Sequence, residues 1–503
     1  MKKLLLILAV TVLCAPLRAA VLPNVYITQA GAGAQDGLSC ATGKSTTYFN
    51  TSTNWGSAGP IGPGSIVHLC GVLTTPLVIG ADGVAGNPIT ILFESGAQFT
   101  VPTLPTGSAF ISKPSGNYII VDGGANGIIQ ATANGSTPTY PNGNDFYGVH
   151  FPSCNHCEIK NLTVSNMFVF NSFDTQGGGG GIYIDAGTNN RVHNNILHDM
   201  TVAIWFGLDG SVGNEVDHNV AYRANWDYGG GSGGNGMTSF LIHDNEGYDW
   251  ATWDDTSGPN SHHHNGIHVF VTGEGTAVLD GLQIYNNYFH GTTGCCTTAQ
   301  IFIESPGNGN INATVYNNLL VATIAGSNWN NGFIGVHGSS VSHVTVAAYN
   351  NLLYSSTTAG SMIGMDFASG TTLTSQNNLF YNARMGGGPG MTINAANNWY
   401  YNAAPFDWGG ASSFAQWQAA CGCDANSTNQ VDPKLNLTTF APSVGSGVIG
   451  AGISLSNLGI SALGLDKSGV ARTGATWTIG AYNLPGAAVN PPAAVSITSI
   501  IAH

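Results

Sequence analysis

The 503-residue sequence predicts an all-β fold that is built by stacking, a parallel β-solenoid. Three observations predict it: glycine accounts for 70 residues, a short motif around Asn-Asn or Asp-Asn keeps returning, and apolar runs rich in β-branched and aromatic residues lie between turn residues. No long stretch shows the 3.6-residue period of an amphipathic helix. A chain of this length exceeds one ordinary globular domain unless the fold grows by repetition.

Residues 1–20 have the pattern of a secretory signal peptide. Two lysines precede an apolar run from Leu4 to Ala15, and small residues follow at Ala19 and Ala20. The apolar run is too short to span a bilayer. We therefore expect an exported protein, secreted or periplasmic, without a membrane partner.

The charge of the chain restricts its partners. Removal of residues 1–20 would take away three of the 12 basic side chains and none of the 26 acids, which changes the formal charge from −14 to −17. Such a surface excludes nucleic acid as a natural partner. It also disfavours a polyanionic substrate, whereas a neutral glycan meets no electrostatic obstacle.

Eight cysteines remain after removal of Cys14, an even number that suits disulfide bonding in an oxidising compartment. Zinc binding by the Cys-Asn-His-Cys segment is an alternative, but no second CxxC segment exists to complete the site. The simplest disulfide pairing joins neighbours in sequence, which gives Cys40–Cys70, Cys154–Cys157, Cys295–Cys296 and Cys421–Cys423.

The recurring motif places an asparagine at intervals of 20 to 42 residues. Asparagine tolerates the left-handed backbone conformation of a tight bend, and stacked amides can hydrogen-bond from coil to coil. Each interval is therefore one coil, with longer intervals carrying a loop. Taking the last asparagine of each motif gives the anchors Asn161, Asn195, Asn219, Asn245, Asn287, Asn318, Asn351, Asn378 and Asn398.

A second strand precedes most anchors, and its alternation predicts which side chains face solvent. In the strand containing His268, alternation sends His268 outward together with Gly266 and Phe270. Aligning the other strands by the same rule predicts an outward row of Tyr183, Trp205, His268 and Phe302. Asp185 and Glu304 lie one outward step further along their strands.

The chain divides into four parts without a separate second domain. Residues 1–20 are the signal peptide, 21–110 a cap and the first coils, 111–483 the coils with a closing segment, and 484–503 a linker-like tail. The segment between Trp399 and Trp417 departs from the repeat, and we expect a short capping helix or loop there.

The coils resemble the secreted right-handed parallel β-helix proteins of the pectin-lyase-like superfamily. The resemblance covers about residues 60–480 and includes the opening segments GPGSIVHLCG, GNPITILFE and YIIVDGG and the closing segment from VDPKLNL to WTIGAYN. It implies an all-β, right-handed parallel β-helix of about eleven coils with N- and C-terminal caps. It also implies a substrate groove along one face of the coils.

The strongest local signal for chemistry is the segment SHHHNGIHVF, which carries four histidines within seven residues. Two acids precede it in WATWDDTSG. Clustered imidazoles and carboxylates beside a row of aromatic side chains are what a sugar-cleaving groove requires. The candidate catalytic residues are His268, His264, Asp254, Asp255 and Glu304, and the candidate substrate-binding residues are Tyr183, Asp185, Trp205, Phe302 and Arg223.

Hydrolysis of a neutral polysaccharide by a monomeric enzyme is the favoured function. The segment HHNGIH has the frame of the N-x-D-G-x-D strand of polygalacturonases, with Asn265 and His268 where that family has acids. Because asparagine is neither acid nor base, that family's chemistry does not transfer to these positions. Hydrolysis would need a carboxylate pair drawn from Asp254, Asp255, Asp185 and Glu304.

Three other interpretations remain open at the level of sequence. The first is β-elimination as in polysaccharide lyases, with a histidine base, Arg191 or Arg223 to neutralise a uronate, and help from Ca²⁺, although nothing in the sequence requires a cofactor. The second is transition-metal binding by the histidine run with Asp254 or Asp255. The third is a non-catalytic, adhesin-like protein that holds glycans on its aromatic row.

Overall fold

The protein is a parallel β-helix, as the sequence predicts. Within the described residues, 36 strands form one continuous hydrogen-bonded system in which every pairing is parallel. The computed structural model describes residues 21–105, 107–133, 146–167, 179–207, 209–253, 264–272, 278–293, 297–323, 332–339, 342–356, 362–367, 370–388, 390–403, 406 and 411–483.

A complete coil contributes one strand to each of three sheets, which we call A, B and C. The chain leaves sheet A through the asparagine turn, runs along sheet B, bends into sheet C and returns to sheet A by a loop. Sheet A contains Asn24–Thr28, Ile66–Leu69, Ile89–Phe93, Arg191–His193, Glu215–Asp217, Leu241–His243, Val278–Tyr285, Asn310–Tyr316, His343–Tyr349, Thr371–Gln376 and Thr392–Ala396. Sheet B contains Val72–Leu73, Gln98–Val101, Glu246–Tyr248, Tyr288–His290, Leu319–Ala322, Leu352–Ser355, Leu379–Tyr381, Trp399–Tyr401 and Thr428–Asn429. Sheet C contains Leu77–Val78, Ala109–Ser112, Phe146–Phe151, Gly179–Ile184, Asn265–Val271, Ala299–Ser305, Ile334–Gly338, Met362–Phe367 and Ala383–Met385.

Four long strands pass from one sheet into the next without a break. Ile119–Ala131 and Glu158–Met167 join sheets A and B, while Ile196–Gly207 and Val220–Ser232 join sheets B and C. The remaining short strands are Lys44–Ser45, Gly116–Asn117, Cys154–Asn155, Ser211–Val212 and Met237–Thr238, and the antiparallel pair Gly452–Ile453 with Thr476–Trp477. The helices are Thr46–Asn50 and Phe414–Cys421, with 3-10 turns at Cys40–Thr42, Ser52–Asn54, Trp250–Trp253, Ser456–Leu458 and Ser461–Gly464.

The corner between sheets A and B is an asparagine ladder. From Asn195 to Asn398, the side-chain Nδ2 of each ladder residue donates to Oδ1 of the next at 2.9 to 3.4 Å. The residue before each rung has a positive φ of 52–57°. That conformation is accessible to asparagine, aspartate and histidine at small cost, which explains the doublets seen in the sequence.

The first predicted anchor, Asn161, is not a rung of this ladder. Pairing of Thr163 with Ile196 puts Leu162 opposite Asn195, and the Leu162 amide donates to Oδ1 of Asn195 at 3.0 Å. Asn161 itself has the positive φ of 59° and donates to Asp122. Because this coil carries a single asparagine, counting from the last asparagine of the motif placed it one residue off.

A C-terminal segment, residues 431–483, lies outside the coils and crosses the asparagine corner; we call it the strap. Its apolar side chains cover outward residues of sheet B such as Leu319, Leu352 and Leu379. It also bonds to the turns themselves: the buried Arg472 donates to Oδ1 of Asn317, and the Ile453 amide donates to Oδ1 of Asn377 at 3.0 Å. The strap therefore joins turns that lie two coils apart.

Three disulfide bonds link the described chain to itself. The disulfides Cys40–Cys70, Cys154–Cys157 and Cys421–Cys423 are formed, as the simplest pairing predicts. The Cys154–Cys157 bond also removes the thiolates that the zinc alternative needs. Cys295 and Cys296 lie outside the described residues.

Among the residues that are described, no helix is long and apolar enough to cross a bilayer.

Candidate active site

The candidate site lies on the outer face of sheet C. Strand register puts His150, Tyr183, Trp205, Gly229, His268 and Phe302 at one position on six successive coils. Four of these are the residues that alternation aligned in the sequence. Two residues further along, the parallel row includes Gly231, Phe270, Glu304 and His337.

The aromatic side chains of these rows form a continuous surface, which we call the aromatic floor. Ring centroids lie 4.1 Å apart for Tyr147 and Tyr183, 6.5 Å for Tyr183 and Trp205, and 5.7 Å for Trp205 and Phe270. Three glycines let the rings lie close to the sheet. A Cβ at Gly180 would come within 2.1 Å of the Tyr183 ring, one at Gly229 within 3.0 Å of Trp205, and one at Gly231 within 2.4 Å of Phe270.

Trp226 joins this floor because the strand turns a corner. Its ring stacks on Trp205 at 6.1 Å and meets His268 edge to face at 4.6 Å. Both Trp226 and the position of Gly229 face outward, while Asp227 and Tyr228 between them are fully buried. The same corner places Gly266 inside, where a Cβ would lie 2.7 Å from the Phe289 ring. The expectation that Gly266 faces outward was therefore wrong, since strict alternation does not survive the bend.

At the far end of the floor, Nε2 of His268 hydrogen-bonds Oε1 of Glu304 at 2.9 Å. The imidazole stacks on Phe302 with centroids 5.0 Å apart, and its side chain is only 8% exposed. The Glu304 side chain is 24% exposed. Glu304 is thus the member of the pair that a ligand on the floor can reach, and His268 holds it from behind.

The other predicted residues lie in different surroundings. His264 is fully buried, with Nδ1 3.0 Å from Oδ1 of Asn225. Arg223 belongs to sheet B, where it donates to both oxygens of Asp199 and lies over the Tyr222 ring. Asp185 lies in the same outward row as Glu304 but near the opposite end of the floor. Asp254 and Asp255, like His262 and His263, lie outside the described residues.

Pairs of histidine and carboxylate are a general device of these coils. The His268–Glu304 bond runs diagonally, from one coil to a residue two positions along the next, a Cα separation of about 8 Å from coil spacing and strand rise. The described residues contain six diagonal pairs of a histidine and a carboxylate on neighbouring coils: His68–Glu94, His150–Asp185, His193–Glu158, His243–Glu215, His268–Glu304 and His290–Glu246. A His–carboxylate pair alone therefore does not mark a site, whereas the aromatic surroundings of Glu304 do.

A dense group of charges among the described residues lies elsewhere, on the outer face of sheet A. Ligand atoms of Glu215, Asp217 and His243 lie within 4.8 Å of one another, which is close enough for a metal ion. However, Arg191 donates to both oxygens of Asp217 at 2.7 and 2.6 Å, and both nitrogens of His243 bond carboxylates. Ca²⁺ takes six to eight oxygen ligands. The group is already neutralised by its own cations, so it does not fit the calcium that a lyase would use.

Protonation states in this group follow from its hydrogen bonds. Burial would raise the pKa of Asp217, but hydrogen bonds from Arg191 and His218 outweigh burial and hold that pKa well below its usual range. Burial would lower the pKa of His243, but hydrogen bonds to Asp244 and Glu215 outweigh it and raise the pKa to about 9. His243 therefore acts as a cation at neutral pH.

This charge state predicts an alkaline loss of stability. Because the folded pKa of His243 exceeds the unfolded value of about 6.5, its contribution is complete below that pH and disappears as pH rises to about 9. We expect the free energy of unfolding to fall by no more than about 3 kcal/mol over this interval. Urea unfolding at pH 6 and pH 9.5 measures the loss. His243→Gln should show a smaller pH dependence, and an unchanged dependence would contradict the assignment.

Alternation in the sequence did not align every member of the site. Trp226 and His150 were not aligned with the row, although His150 lies in the apolar run FYGVHF, whose alternation exposes it. His337, beside Glu304 in register and 5.1 Å from Phe302, was likewise missed. Trp226 could not be found by alternation, because the bend that exposes it interrupts the pattern.

Comparison with known proteins places the fold and goes no further. No family model and no curated protein matches the sequence. Among solved structures, the GH136 lacto-N-biosidase from Eubacterium ramulus is similar over 75% of this chain and 67% of its own, with 14% identity and a TM-score of 0.51. Pectate lyase Pel9A is 14% identical over 92% of this chain and 97% of its own, with a TM-score of 0.44. XylC in complex with xylose is 10% identical over 92% of this chain and 98% of its own, with a TM-score of 0.43. The chain thus shares the parallel β-helix fold with the lacto-N-biosidase.

Proposed function

We propose that the chain cleaves a neutral polysaccharide by hydrolysis on the aromatic floor of sheet C. The observation that carries the proposal is Glu304, a solvent-accessible carboxylate held by the buried His268 at the end of a surface of aromatic rings. Aromatic faces bind the C–H faces of sugars, and a fixed carboxyl group can give or take the proton of the glycosidic oxygen. The lacto-N-biosidase that shares the fold is, by its name, also an enzyme that acts on a glycan.

Glu304 is the proposed acid or base, and it needs a second carboxylate. In glycosidases the two groups are about 5 to 10 Å apart. Asp185 lies four coils away along its row, about 19 Å by coil spacing, so it cannot be that partner. Register places the Cα of Asp366 about 12 Å from that of Glu304. Asp366, Asp254 and Asp255 are the proposed candidates.

Electrostatics support hydrolysis over β-elimination. A lyase must neutralise a uronate, and the two arginines suggested for that role are each bound to an acid, Arg191 to Asp217 and Arg223 to Asp199.

An extracytoplasmic location is part of the proposal, and the three disulfides favour it.

The proposal predicts which products form from a panel of neutral and acidic polysaccharides. We expect new reducing ends from a neutral glycan, without the ultraviolet absorbance of unsaturated uronates. Reducing ends accompanied by that absorbance would identify a lyase instead. Binding without either product would identify a glycan-binding protein. The control is the Glu304→Gln protein under the same conditions, because it separates cleavage by this site from that of a contaminating enzyme.

A further inference from the structure

A second polar pair lies at the opposite end of the aromatic floor. Nε2 of His150 hydrogen-bonds Oδ2 of Asp185 at 2.8 Å, and the Asp185 side chain is 47% exposed. The ring of His150 lies against Tyr147, with centroids 4.8 Å apart, and Tyr147 stacks on Tyr183. This pair therefore has the same surroundings as His268 and Glu304: a held carboxylate beside aromatic rings.

The two pairs are built to one plan. In each, a histidine in register with Tyr183 and Trp205 hydrogen-bonds a carboxylate that lies on the next coil, two residues further along the strand. Four coil steps separate His150 from His268, about 19 Å. That distance prevents the two carboxylates from acting on one bond, so the role of Asp185 differs from that of Glu304.

The surface between the pairs is aromatic throughout. Trp205 lies at its centre, and the ring centroids of Tyr183, Trp226 and Phe270 each lie within 6.5 Å of the Trp205 ring. A ring of an extended glycan advances by about the spacing of one coil, about 4.8 Å. Successive sugars can therefore lie over successive coils along the axis of the helix.

We propose that His150 and Asp185, with Tyr147 and Tyr183, form a remote sugar-binding subsite. The ligand of the whole floor is then an unbranched neutral chain of at least about five sugar units, bound along the helix axis between Asp185 and Glu304. This inference rests on the proposed function for the class of ligand only. It makes the substrate a polymer that is held well inside its length, and not a disaccharide at a chain end.

Calorimetric titration with linear oligosaccharides tests the inference. The probes are xylo-, manno- and cello-oligosaccharides of three to eight units, applied to the Glu304→Gln protein so that no ligand is consumed. We expect one octasaccharide but two trisaccharides per chain, since a short ligand can occupy either end. Adding Asp185→Asn should weaken octasaccharide binding about tenfold, the loss expected for a hydrogen bond to a charged group. It should also reduce trisaccharide binding to one per chain.

The matched controls lie on sheet B. Glu246 forms a diagonal pair with His290 at 2.7 Å, with the carboxylate on the earlier of the two coils, and Tyr222 stacks between His198 and Tyr248. Glu246→Gln and Tyr222→Ala should leave binding unchanged, while Tyr183→Ala should weaken the octasaccharide. Octasaccharide affinity that is insensitive to Asp185→Asn, equal stoichiometry for all lengths, or no binding by any probe at millimolar concentration would each overturn the inference. Binding as expected by a wild-type protein that cleaves nothing would instead refute only the proposed hydrolysis.

Discussion

Glu304→Gln is expected to lower the rate of glycan cleavage by about 10² to 10⁴-fold, the range of a general acid or base. Glutamine keeps the shape of the side chain and a hydrogen-bonding oxygen toward His268, but it cannot donate or accept the proton. Because Glu304 is partly exposed and lies at the outer surface, we expect the unfolding midpoint to change little. Initial rates of reducing-end release and a thermal melt measure the two effects.

Glu246→Gln is the matched control for that experiment. It removes the charge of an equivalent His–carboxylate pair, His290–Glu246, on sheet B away from the aromatic floor. Its cleavage rate should equal that of the wild type. His268→Ala should also lose most activity, because Glu304 would lose the group that fixes its position. Equal losses in the Glu304 and Glu246 variants would show that the pairs serve the fold and not the reaction.

Asn318→Ala is expected to cost about 3 to 6 kcal/mol of folding free energy. Oδ1 of Asn318 accepts from both the amide and Nδ2 of Asn287, and Nδ2 of Asn318 donates to Ile284 O and Oδ1 of Asn351, all at 3.0 Å. Alanine would leave several of these groups buried without partners, at about 1 to 3 kcal/mol each. Since a domain is stable by only about 5 to 15 kcal/mol, the loss is severe.

Urea unfolding followed by circular dichroism measures this loss. The control is Asn312→Ala on the same coil, because Asn312 is exposed and donates only to the exposed Asp280 at 3.2 Å. We expect a change within about 0.5 kcal/mol there. A loss below about 1 kcal/mol for Asn318→Ala would mean that the ladder contributes little to stability.

The sequence was enough to predict the fold because the asparagine corner repeats in every coil. A doublet with a left-handed first residue and a bonded second residue leaves the same trace in each coil, which makes the stacking visible without any long-range information. Asn161 is the exception to this repeat. Where the doublet shortens to one asparagine, the sequence does not distinguish the residue with the left-handed conformation from the residue of the asparagine ladder.

The candidate site could be predicted only in part. Alternation aligned Tyr183, Trp205, His268 and Phe302, because strand register in a β-helix keeps one position over another. Alternation did not align Trp226, because the strand bends before Gly229. Trp226 and Gly229 both face outward there, and the two residues between them are buried. The exposure of Glu304 and the burial of His264 also depend on packing from neighbouring coils, which no local pattern contains.

The strap has a consequence for the order of folding. It bonds the turns at Asn317 and Asn377 with Arg472 and Ile453, which the ribosome makes 155 and 76 positions later. The outer faces of Leu319, Leu352 and Leu379 thus stay uncovered until residues 431–483 have been synthesised. A nascent chain therefore leaves this apolar strip without its cover until the strap is made, and that delay agrees with the extracytoplasmic location proposed above.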